Sequence, residues 1–124
     1  MKATFKLIIG AICLLAACQS KTTKVQAFID GIYVNHAQSE YGVADDTLTF
    51  TRTNGQHYII TRNTGYQAMR NGKLLPKKHK LEKVEGNYDS QTDQLNETTA
   101  GRVFHFNPAK RLLLLNQAVY RKLN

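Results

Sequence analysis

The segment Thr47-Leu48-Thr49-Phe50-Thr51 alternates strictly between large apolar and polar β-branched side chains, and Asn54-Gly55 follows it closely. A two-residue period puts Leu48 and Phe50 on one face of a strand and the threonines on the other. Asn-Gly is the dipeptide that most readily reverses one strand onto the next, so His57–Arg62 reads as the returning strand. The same grammar recurs along the chain. Gly31–Val34 is a first short strand, Tyr66–Arg70 a further one, and Asn71-Gly72 a second Asn-Gly turn. Pro76 cannot donate to a ladder, which makes Lys73-Leu74-Leu75 an edge or a connector. Lys80–Tyr88 is extended, with Gly86 marking a bulge or bend. Asp89–Asp93 turns into a strand at Gln94–Thr98, Gly101–Phe106 ends at Asn107-Pro108, and Arg111–Leu115 pairs with Ala118–Leu123 across Asn116-Gln117. Sustained helical periodicity is missing from this region.

This spacing predicts an all-β domain, an antiparallel meander of about eight short strands closed as a small barrel or folded as a sandwich. Closure would remove exposed strand edges and create an interior. With Gly31-x-Tyr33 near its start, the pattern resembles small lipocalin-like domains. Phe28–Ala37 resembles the opening of a group of small, uncharacterised lipoproteins of Bacteroidota, which implies a context and no activity.

The N-terminus carries the other strong signal. Lys2 and Lys6 precede the apolar run Leu7–Ala17, which is shorter than the ~20 residues a membrane span needs. A basic start, a short apolar stretch and small residues form a secretory signal. Ending in Leu15-Ala16-Ala17-Cys18, it resembles the lipobox of bacterial lipoproteins. The resemblance implies a diacylglyceryl thioether on Cys18, cleavage before it, and acylation of the new amino group by a fatty acid such as palmitate. Several acyl chains give the stable anchorage that one does not. The expected division is a signal peptide over 1–17, a lipidated flexible tether over 18–26 and a single β-domain over 27–124. Gln19 replaces the aspartate that marks inner-membrane retention in enterobacteria, and Gln19–Lys24 lacks the acidic signature of surface export in Bacteroidota. The resemblance therefore implies the outer membrane, facing the periplasm.

Little else points to chemistry. Cys13 leaves with the signal and lipidation consumes Cys18, so neither a disulfide nor thiolate chemistry is expected in the mature chain. His36, His57, His79 and His105 lack ligand spacing, and no metal or cofactor is expected. Asp45-Asp46 reads as a turn in which Asp bonds its own backbone. Ser39 and Ser90 have no G-x-S-x-G context, and phosphate-binding glycine motifs are absent. Asp46-Thr47-Leu48 matches a short O-glycosylation motif of Bacteroidota, which makes Thr47 a candidate modification site.

Charge supplies the sharpest local feature. The chain has 17 Lys and Arg against 9 Asp and Glu. Arg70, Lys73, Lys77, Lys78, Lys80 and Lys83 cluster around His79, opposed only by Glu82 and flanked by Tyr66 and Tyr88. Such ammonium groups can dock on anionic lipid, glycan or an acidic envelope protein. Lysines also stop edge strands from pairing with other chains, and that plainer role is the favoured one. Nucleic acid is not an expected partner of an exported protein.

The sequence thus reads as a non-catalytic, lipid-anchored envelope protein with a binding or interaction β-domain. In an alternative reading Phe50, Ile60, Phe104, Phe106, Leu112 and Leu114 line the interior of a lipocalin-like carrier of a small apolar ligand, rather than fill it. A secreted enzyme inhibitor is a further alternative, disfavoured by the missing disulfide. Labelling with a fatty acid in the native host should mark the wild-type chain, and Cys18→Ser should abolish the label; an unlabelled wild type would refute the anchor.

Overall fold

The computed structural model describes residues 23–124; the signal, Cys18 and tether residues 18–22 lie outside the described residues. A short helix, α1 (Lys24–Ile29), precedes nine strands: β1 (Gly31–Ser39), β2 (Gly42–Asn54), β3 (His57–Arg70), β4 (Lys73–Leu74), β5 (Lys78–Asp89), β6 (Gln94–Glu97), β7 (Val103–Asn107), β8 (Leu112–Leu115) and β9 (Ala118–Lys122). Each strand pairs antiparallel with its neighbour in sequence, β4 excepted, and β9 returns to β1. The result is a closed eight-stranded up-and-down barrel, with β4 as an extra strand hairpinned onto the end of β3.

The strands are longer than their sequence signals. β1 runs on through Ser39, and β2 absorbs Asp45-Asp46, which is therefore strand and not turn. β3 is continuous from His57 to Arg70, joining two segments that read as separate strands. Gly65 does not break it, because β2 and β5 pair with it on both sides. The β2–β3 hairpin closes one residue later than Asn54-Gly55 suggests. Asn54 still pairs with His57, and Gly55 alone takes a left-handed φ of 55°. At Asn71-Gly72 both residues are left-handed, as expected. Gly86 is not a bulge: a Cβ there would come within 2.5 Å of Leu95, so the missing side chain admits close packing inside the barrel.

α1 corrects the reading of the tether, since Lys24–Gln26 are helical. Thr23 caps the helix by accepting a hydrogen bond from the Gln26 amide at 3.0 Å. Phe28 and Ile29 are buried at the floor of the barrel. There the Tyr33 hydroxyl lies 2.9 Å from both the Phe28 and Ile29 carbonyl oxygens, and the Lys122 ammonium meets the Phe28 carbonyl.

Alternation decides what lies inside. Leu48 and Phe50 are buried as the pattern requires, with Ile60, Phe104 and Phe106. Phe50 packs edge-to-face on Tyr33, Phe104 and Phe106 at centroid distances of 5.4, 5.3 and 5.4 Å. Rings therefore fill the centre. Tyr88 also belongs to this core and does not flank the basic stretch; its hydroxyl lies between Thr23 and Asp93. The leucine run is a second correction. Leu113 and Leu115 face inward, whereas Leu112 and Leu114 face outward, because four consecutive leucines carry no alternation to set the register. Leu113→Ala should cost about 2–5 kcal/mol and Leu114→Ala under about 1 kcal/mol in urea unfolding; equal losses would contradict this register.

Candidate functional site

Strand lengths are unequal around the ring. β2 and β3 have 13 and 14 residues, while β6 and β8 have 4 each. β9 pairs with β1 only at Tyr33 and Val34, and β6 pairs with β5 only from Gly86 onward. The ends of β1, β2, β3 and β5 therefore continue past the barrel as a four-stranded overhang.

The barrel mouth, where this overhang begins, holds a buried polar cluster. Leu48, Asp46 and Ala44 share one strand face, so Asp46 enters from the inward side of β2. Asp46 is 7 % exposed. The Arg62 Nε lies 3.1 and 2.9 Å from its two oxygens, and Thr64 donates to it at 3.1 Å. The Tyr120 hydroxyl donates to it at 2.5 Å from β9. Burial pushes the Asp46 carboxyl up, but hydrogen bonds from Arg62 and Tyr120, the guanidinium charge and Thr64 outweigh it and hold it below the ordinary carboxylate range. Burial first, and then the bond to Asp46, push the Tyr120 phenol well above its usual value. Every partner is engaged, so the cluster is a cross-barrel clamp joining β2, β3 and β9. A second buried acid, Glu97, accepts from the Ala100 amide at 3.0 Å and lies 2.7 Å from Arg102 Nε, while Arg102 also meets Glu82.

Beyond the clamp the inner face of the overhang is a shelf. Residues opposite one another in register share a face. One row is Asn35, Asp46, Thr64 and Lys80; the next is Ala37, Ala44, Tyr66 and Lys78. Small side chains leave Tyr66, 46 % exposed, standing over the shelf with two lysines at its rim. Lys83 opposes Thr61 and points to the other face. Lys77 lies 3.5 Å from Asp45, which also pairs with His36 at 2.5 Å on the outer face. Arg70 and Lys73 oppose each other in the β3–β4 hairpin. The basic stretch is thus divided: the structure brings Lys78 and Lys80 together with Tyr66, and sets the others elsewhere. It also places residues Lys78–Val84 along an edge of β5 that no strand covers.

Thr47 faces outward and is half-buried. It lines a cleft of about 560 Å³ on the outside of the barrel, with Val34, His36, Asp45, Leu112, Val119 and Arg121 among its walls. Among the described residues no three His, Cys, Asp or Glu side chains converge on one point. Compared with protein-family models, with curated proteins and with solved structures, the chain matches none.

The clamp leads to a pH-dependent expectation. A carboxyl whose folded value is depressed contributes stability that is complete above its unfolded value and is lost as pH falls through the folded one. The stability difference between wild type and Asp46→Asn should therefore be constant above about pH 5 and shrink below about pH 4, in urea unfolding across pH. Arg62→Ala leaves a buried carboxylate unpaired and should cost about 3–5 kcal/mol. A flat pH profile would exclude Asp46 as a structural acid.

Proposed function

We propose that this chain is a lipid-anchored envelope protein whose barrel is a rigid, non-catalytic display, and that its overhang contacts an anionic group at the membrane surface. The observation that carries the reading is the joint placement of Tyr66, Lys78 and Lys80 on one open face. An aromatic ring beside ammonium groups suits a phosphate-bearing lipid headgroup or an acidic glycan, the ring taking the apolar side and the lysines the charge. Neither lysine has an ion-pair partner among the described residues. The ring-filled interior favours a surface contact over a carried ligand, because a carrier would have to part the Tyr33, Phe50, Phe104 and Phe106 cluster. The anchor at Cys18 would keep the domain at the membrane, joined through α1 at the floor of the barrel.

The lysines also serve the edge they line. Side chains at Lys78, Lys80 and Lys83 charge the uncovered stretch of β5 and oppose pairing with another strand. The two roles separate by face. Lys78→Gln/Lys80→Gln should weaken sedimentation with anionic vesicles by about 2 kcal/mol, roughly thirtyfold, with the wild-type affinity falling steeply in salt. Lys83→Gln, on the opposite face, should bind like wild type. Unchanged binding in the double variant, with more light scattering, would leave only edge protection.

A further inference from the structure

The shelf carries a hollow of about 170 Å³ at its outer end. Ala37, Ser39, Gly42 and Ala44 form the floor, and Tyr41 and Tyr66 flank it, 75 % and 46 % exposed. Register explains the open floor: Ala37 lies opposite Ala44 and Ser39 opposite Gly42, so the small residues share one face. Gly42 also has to be small, because a Cβ there would come within 2.4 Å of the Gln67 carbonyl oxygen on β3. Tyr41 belongs to the β1–β2 turn, and its backbone is held at two points. Its amide donates to the Ser39 hydroxyl oxygen at 3.2 Å, and its carbonyl accepts from the Met69 amide at 2.8 Å. The turn is therefore set before any ligand arrives, which lowers the ordering cost of binding.

We propose that the overhang binds an acidic oligosaccharide, with one sugar ring seated between Tyr41 and Tyr66 and the acid group of the adjoining unit over Lys78 and Lys80. This rests on the reading of the shelf as an anion contact and names its ligand. A pocket that encloses a whole small ligand has roughly 300–1,000 Å³. The hollow is smaller, so it seats one ring of a longer molecule and leaves the rest on the shelf. Two phenol rings beside small residues suit a pyranose: its C–H face packs on the aromatic surface, and its hydroxyls find the phenol and Ser39 hydroxyls. Charge selects further. Lys78 is the register partner of Tyr66, and Lys80 follows two residues later on the same face, so the unit next to the seated ring meets two ammonium groups. The place of α1 favours a glycan over a headgroup. α1 joins the barrel at its floor, and β1 runs from there to the hollow over nine residues, about 26 Å along the strand. A polymer rising from a surface spans that length, whereas a headgroup in the plane beside α1 does not.

The test is calorimetric titration of the full chain, in non-ionic detergent, with two uronic-acid tetrasaccharides, one from hyaluronan and one from polygalacturonate, and with neutral chitotetraose. At least one acidic tetrasaccharide should bind about tenfold or more tighter than chitotetraose, the difference expected of charge-assisted hydrogen bonds to the lysines. Ala37→Leu, at an exposed position, fills the hollow without touching the lysines, and Tyr41→Ala removes one flank. Each should weaken the acidic saccharide about tenfold while leaving sedimentation with anionic vesicles and the circular dichroism spectrum unchanged. Lys78→Gln/Lys80→Gln should weaken both saccharide and vesicle binding. If vesicles bind through the lysines and neither acidic tetrasaccharide does, this proposal falls and the anionic contact of the shelf stands. If neither probe binds, both fall. Saccharide binding indifferent to Ala37→Leu and Tyr41→Ala overturns the seat in the hollow, and chitotetraose binding as tightly as the acidic sugars overturns the role of the lysines. Should Tyr41→Ala perturb the turn, Ala37→Leu decides alone.

Discussion

Backbone hydrogen bonding sets the architecture, because strands of 13 and 14 residues share a ring with strands of 4 and 5. The short strands suffice to close the barrel, and closure satisfies the backbone where the core lies. Beyond them the long strands have each other and nothing else. The overhang, its two open edges, its inner shelf and the outer cleft all follow from that mismatch. A barrel of equal strands would have had none of them.

Two kinds of packing hold the ring in register. At the floor, α1 presses Phe28 and Ile29 onto a core of edge-to-face rings, and Tyr33 and Lys122 engage the helix carbonyls that would otherwise be buried unpaired. At the mouth, Asp46 draws Arg62, Thr64 and Tyr120 together across three strands. The apolar end contributes most of the burial, whereas the polar end contributes specificity, because a one-residue slip would strand a buried carboxylate without its guanidinium. That clamp sits where the barrel stops and the overhang starts, so it also defines the base of the shelf.

The overhang meets solvent in three distinct ways. Lysines charge the β5 edge, small side chains open the inner face around Tyr66, and the β1 edge is left neutral beside an uncompensated arginine. Surfaces of one small domain that differ this much in chemistry suit different contacts.

Much of the barrel was legible in the residues. Alternation at Leu48 and Phe50 assigns their face correctly, and the turn at Asn71-Gly72 stands where its residues demand left-handed backbone. The mouth cluster had a signal as well: Asp46 shares the parity of Leu48 and Phe50, and Arg62 that of Tyr58 and Ile60, which marks both as inward. Reading Asp45-Asp46 as a turn concealed it, since local turn preference and strand parity compete and long-range pairing decides between them. The leucines at 112–115 could not be sorted, because a run without alternation is consistent with either register until Tyr120 and Phe106 pair with Leu113. The basic residues were visible as a cluster in the chain, yet their division between two faces depends on the pleat. The sequence by itself determined the all-β class, the turns and the apolar parity, which are properties of neighbouring residues. Only the tertiary structure decided strand length, the open edges and which charges meet, because those depend on where a partner strand, distant in the chain, comes to an end.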